Sequence, residues 1–114
     1  MACGLPIVRW SQPLASSRLL EYEVWVRLHA RRLGPSHAEA ARALLFRLAF
    51  IELAPPVLAR ALEPFPAPVR TLDALHLAAA HFLRSRDPSL KVATYDAGFA
   101  AAAKALGLTA FEPD

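Results

Sequence analysis

Three observations predict an α/β chain with three layers, in which a short parallel sheet is flanked by helices. Helical apolar periodicity alternates with short β-prone runs from residue 17 onward. Such alternation is the pattern of parallel strands joined by helical crossovers. A chain of 114 residues with 55% hydrophobic side chains and mean hydropathy of +0.29 is long enough for one core and too apolar for disorder. Residues 1–114 therefore read as a single domain.

Residues 1–16 contain Gly4, Pro6 and Pro13 and no acid, and read as an irregular or truncated N-terminus. Within them Ile7-Val8 and Pro13-Leu14-Ala15 are candidate short strands, which proline confines to an edge or a loop. From Ser17, a cap, the spacing of Leu19, Tyr22, Val26, Ala30 and Leu33 predicts a helix over 18–33, stopped by Gly34-Pro35. Ser36 with Glu39 three residues later forms a capping box for a second helix, which presents Ala40, Ala43, Leu44 and Leu48 on one face.

A strand over 50–53 ends at Pro55-Pro56, and a short helix over 57–63 follows. Prolines 64, 66 and 68 then make a stiff loop that no helix can cross. A long helix over 72–86 opens behind Thr71 and stops at Asp87-Pro88, and 91–95 is a strand. Asp96 caps a helix over 97–106, Gly107 is its left-handed terminator, and 108–111 is the final strand.

The net charge is +3 and the pI about 9.6, with arginines far outnumbering lysines. Arg27, Arg31 and Arg32 form one basic group and Arg84, Arg86 and Lys91 another; each is either a phosphate contact or a solvated face. No apolar run reaches the roughly 20 residues of a membrane span. Cys3 has no partner for an internal disulfide, and the start carries no secretory or lipidation pattern, so a cytoplasmic location is expected.

Asp73 falls in the first turn of its helix, and Asp96 ends a strand and opens a helix. That places both at the carboxyl edge of a sheet, where open α/β folds bind ligands. Glu23 borders the apolar face of its own helix. Each acid also has a structural account: Asp73 against a helix dipole, worth about 0.3–1 kcal/mol, Asp96 as a cap, Glu23 paired with Arg27 four residues on. Three carboxylates meeting at one edge would repel unless a divalent cation neutralised them, and oxygen ligands suit Mg²⁺ or Mn²⁺. Hydrolysis of a nucleic-acid phosphodiester is the matching chemistry.

His76, three residues beyond Asp73 and on the same side of the helix, is either a neighbour of that site or a packed side chain. His29, His37, His81 and Cys3 form no zinc spacing. Tyr22, Trp25 and Phe46 read as core or interface residues in preference to base-stacking platforms.

The segments Ser17-x-Leu19-x-x-x-Glu23-Val24, Thr71-Leu72-Asp73-Ala74-Leu75-His76-Leu77-Ala78 and Thr94-Tyr95-Asp96 resemble the PIN-domain ribonucleases. An alanine-rich helix and Ala105-Leu106-Gly107-Leu108 follow the last of them. Within that family the likeness is to the VapC toxins of bacterial toxin–antitoxin pairs, and it covers residues 15–112.

The resemblance implies a metal-dependent endoribonuclease that acts on RNA through a metal-activated water. It also implies inhibition by a cognate antitoxin and a homodimer contact through helices of the N-terminal half. By position Glu23, Asp73 and Asp96 match the second, third and fourth acids of the family's four-acid site, as catalytic ligands of Mg²⁺ or Mn²⁺. Thr94 matches a hydroxyl residue near the metal. Family members begin with an apolar strand that ends in an aspartate and a hydroxyl residue, whereas residues 1–20 here hold no acid. That strand is expected to be missing, which leaves either a ribonuclease with three acids or a catalytically inactive PIN domain that binds an antitoxin or a second copy.

Overall fold

The computed structural model describes residues 14–111. The candidate strand at Ile7-Val8 and the expected lack of the family's first strand lie outside the described residues. The order of elements is β1 Leu14–Ser17, α1 Leu19–Ala30, α2 Gly34–Phe46, β2 Leu48–Ile51, α3 Pro55–Ala61, α4 Thr71–Arg86, β3 Lys91–Val92, α5 Ala97–Ala105 and β4 Thr109–Ala110.

Both strand pairings are parallel. β1 runs beside β2 from Leu14↔Leu48 to Ser17↔Ile51, and the Arg18 N–H donates to the Ile51 carbonyl at 3.0 Å to carry the ladder one step further. β3 runs beside β4 at Lys91↔Thr109 and Val92↔Ala110, extended by Phe111 N–H to Val92 C=O at 2.8 Å. The predicted parallel sheet is thus present as two separate two-stranded pieces among the described residues. Each piece is closed by helical crossovers, α1 and α2 for the first and α5 for the second.

α4 is the element against which the others assemble. Its Leu77, Ala78 and Ala79 are fully buried. Leu77 packs with Phe99, Ala102, Ala103 and Leu108 from α5 and the segment leading into β4, while Ala78 and Ala79 meet Val57 of α3. Alanines at the second contact allow the helix backbones to approach closely. A third cluster, Leu20, Leu45 and Leu48, holds α1 and α2 to β2.

Several sequence-based expectations are corrected. The candidate short strand at Leu14-Ala15 is present as β1, but it runs on through Ser16 to Ser17, which closes the strand where a helix cap was expected. The buried face of α1 is centred on Leu20, with Tyr22 and Val26 exposed, and that of α2 is Gly34, Ala41 and Leu45. In both helices apolar residues encircle much of the axis, so periodicity alone does not single out the inward face.

Gly34-Pro35 begins α2, because proline is tolerated in a first helical turn whose N–H groups have no helical partner. The break falls just before it, where Arg32 adopts φ 57°. A Cβ on Gly34 would lie 2.9 Å from the His29 ring, so the close approach of these helix ends favours glycine. Ser36 makes no cap; its hydroxyl donates to Leu33 C=O at 3.2 Å. β2 starts two residues earlier than predicted, since α2 ends at Phe46 and frees Leu48 to pair with Leu14. Phe46 and Tyr22 are exposed, which excludes them from the core.

Candidate functional site

β1 ends at Ser17, α1 carries Glu23 one turn in, and α4 carries His76 on the side that meets β1. The three side chains form a hydrogen-bonded row. Ser17 Oγ lies 2.8 Å from His76 Nδ1, and His76 Nε2 lies 2.6 Å from Glu23 Oε1. Ser17 and His76 are each only 3% exposed, and the Glu23 side chain 13%. Glu23 therefore points inward to His76, and the exposed pair with Arg27 is not what its helix uses it for. Glu23 Oε2 has no hydrogen-bond partner among the described residues, yet no buried side-chain oxygen is left unpaired, so this atom keeps contact with solvent.

Serine, histidine and carboxylate in succession is also the arrangement of a nucleophile triad. Burial decides against that use here. Ser17 Oγ meets almost no solvent, and it also accepts the Leu19 N–H at 3.2 Å, so no substrate carbonyl can reach it.

Asp96 sits at the N-cap of α5, as its sequence position predicts, and its Oδ1 accepts the Phe99 N–H at 2.9 Å. Its own N–H donates to Thr94 Oγ1 at 3.1 Å, so the threonine fixes the backbone from which the carboxylate projects. The Phe99 N–H, then the Gly98 N–H and the nearby Arg70 charge outweigh partial desolvation and hold the Asp96 carboxyl below its ordinary pKa. A depressed folded-state pKa contributes stability above the unfolded value and loses it as pH falls through the folded one. Acidification below about pH 4 is therefore expected to weaken the fold. In urea titrations this acid-dependent loss should be smaller for Asp96→Asn, which accepts the same hydrogen bond without a titrating group.

Asp73 lies in the first turn of α4, half-buried, and makes no hydrogen bond or ion pair with any described residue. Thr71, the expected cap, is instead the first helical residue, with Arg70 at the N-cap. Arg70, Asp73 and His76 succeed one another at three-residue steps, each a rise of roughly 4.5 Å along the axis. The first is within electrostatic reach of Asp96, and the last touches Glu23. α4 thus links the two other acids, with Asp73 between its contacts to them.

The three carboxylates are not gathered into one cage: no group of three or more His, Cys, Asp or Glu side chains among the described residues is close enough to hold a metal ion. The donor chemistry still suits a hard cation, because all three are carboxylates and Mg²⁺ commonly takes one or two, with waters and substrate phosphates completing its shell.

Ser17 and Arg70 were missed as site residues. Ser17 has a local signal, a hydroxyl closing a β-prone run, but that signal also fits a helix cap. Arg70 has none, being one of many arginines. Arg84 and Arg86 are engaged structurally: Arg84 donates to Gly107 C=O at 2.9 Å, and Arg86 stacks 4.7 Å from the Phe82 ring centroid. Arg18 ties the start of α1 to β2. It donates to both Glu52 oxygens and, at 3.3 Å, to Glu21, and these carboxylates push its pKa up despite opposing desolvation.

No helix among the described residues is long and apolar enough to cross a membrane. No curated protein and no solved structure matches the chain. The family model for the PIN domain matches residues 7–105, a span that contains all the acids above and every helix. With that match over most of its length, and with parallel strands, helical crossovers and acids at the helix openings, the chain belongs to the PIN domain family and has a nuclease-type fold.

Proposed function

We propose that this chain is a single-domain, metal-dependent endoribonuclease of the VapC toxin type that acts in the cytoplasm. Glu23, Asp73 and Asp96 are the proposed ligands of Mg²⁺ or Mn²⁺, one or two binding the ion directly and the remainder through its waters, with Thr94 and His76 supporting them. The observation that carries this reading is the course of α4. It runs from Arg70, whose charge helps to lower the Asp96 pKa, through Asp73, which has no hydrogen-bond partner among the described residues, to His76 on Glu23.

When bound, the ion supplies a water of lowered pKa and stabilises the charge that develops on a phosphodiester. The chain's own residues would bind and orient the RNA. Exposed Arg70 offers a guanidinium to a phosphate next to Asp96. Tyr95, 77% exposed between Thr94 and Asp96, offers a ring on which a base can stack. The antitoxin and a second copy are the proposed protein partners, supported by the exposed apolar side chains Tyr22 and Val26 on α1.

Incubating the purified chain with RNA tests the reading. Cleavage is expected with Mg²⁺ or Mn²⁺ and should vanish with a chelator; cleavage that persists under chelation, or none with either ion, would overturn it.

A further inference from the structure

Ser17 and His76 are buried polar side chains that match none of the family's acids, and the row they form has a direction. The Glu23 carboxylate can only accept, so His76 Nε2 carries the proton of the 2.6 Å bond. Ser17 Oγ accepts the Leu19 N–H at 3.2 Å, and its own hydrogen is free to turn to His76 Nδ1 at 2.8 Å. Ser17 thus has a hydrogen it can give to Nδ1, while Nε2–H goes to Glu23.

We propose that Ser17 and His76 are positioning residues, a relay that holds Oε1 of Glu23 and leaves the solvent-contacting Oε2 for the ion; its purpose rests on the nuclease reading above. The partners are 59 and 53 residues apart in sequence and belong to β1, α4 and α1. Glu23 is consequently located against α4, the helix that carries Asp73, as well as by its own helix. A glutamate held only by its own helix would sample several rotamers, and its distance from Asp73 would vary with them. Partners of a ligating carboxylate commonly have this role.

The hydrogen-bond order is read from the ring nitrogens of His76 by ¹⁵N NMR on the full chain without metal. An Nε2–H tautomer with a bare Nδ1 is expected, and the Nδ1 resonance should move in Ser17→Ala. In RNA cleavage with Mg²⁺, Ser17→Ala is expected to lower kcat by about 10- to 100-fold with KM for RNA little changed. Ser17→Thr, which restores the hydroxyl, should recover most of that loss.

Ser17→Ala removes a single oxygen, so it keeps the test open where His76→Ala fails to fold. Active wild-type chain with an Nδ1–H ring, or a folded Ser17→Ala with wild-type kcat, overturns the relay alone. Inactive wild-type chain overturns the nuclease reading, and with it the relay's catalytic purpose, even where the ring shows the expected tautomer.

Discussion

Leu77→Ala is expected to lower the unfolding free energy by about 2–5 kcal/mol, as for other fully buried leucines. That is a large part of the roughly 5–15 kcal/mol that holds a typical domain together. Leu77 has no solvent exposure and is the α4 member of the cluster with Phe99, Ala102, Ala103 and Leu108. Two of its four buried neighbours in that cluster, Ala102 and Ala103, are alanines, which have no side-chain freedom with which to fill a void, so the cavity would close only in part. The same contact sets α5, which Asp96 caps, against α4. Urea unfolding followed by circular dichroism measures the loss as a lower midpoint at unchanged slope. Leu72→Ala, five residues earlier on a side chain 48% exposed, should shift stability by about 0.5 kcal/mol or less. Comparable losses in the two variants would mean that α4 is not buried where its sequence pattern and its contacts place it.

The C-terminal half was legible because its punctuation is local. Asp96 caps α5, Gly107 takes φ 91° just beyond it, and Asp87-Pro88 ends α4, each decided within one or two turns of chain. The inward faces of α1 and α2 were not legible, since Tyr22 and Val26 are as apolar as Leu20 and only the position of β2 decides which side is covered. Strand lengths failed for a related reason. β3 and β4 have two residues each, too few for a period of two to register.

At the site, sequence identified the acids and the ends of the elements that carry them, and Asp96 and Asp73 lie at those ends. It could not supply the spacing between elements: among the described residues no three acids and histidines lie close enough to hold a metal ion, and the contact that ties Glu23 to α4 runs through His76. The bond from His76 to Glu23 spans 53 residues, and no local pattern encodes a contact of that range.

Asp73→Asn and Asp96→Asn are each expected to reduce RNA cleavage at saturating Mg²⁺ by about 100-fold or more, the equivalent of several kcal/mol of charge stabilisation. Neither should unfold the chain, for different reasons. Asp73 has no hydrogen-bond partner among the described residues, so its loss removes an interaction with the α4 dipole, about 0.3–1 kcal/mol. Asp96 does have a partner, the Phe99 N–H, but asparagine caps a helix about as well as aspartate, and its side-chain oxygen can accept the same bond. Asp96→Ala separates the two roles: it should be inactive and less stable, whereas Asp96→Asn should be inactive and folded. Circular dichroism and urea midpoints on the purified variants, beside their cleavage rates, distinguish these outcomes. If Asp96→Asn cleaves RNA as the wild type does while Asp96→Ala is merely destabilised, the carboxylate is a cap and nothing more. If Asp73→Asn is active as well, no negative charge at the α4 opening takes part in cleavage. The chain would then have the PIN scaffold without the chemistry proposed for it.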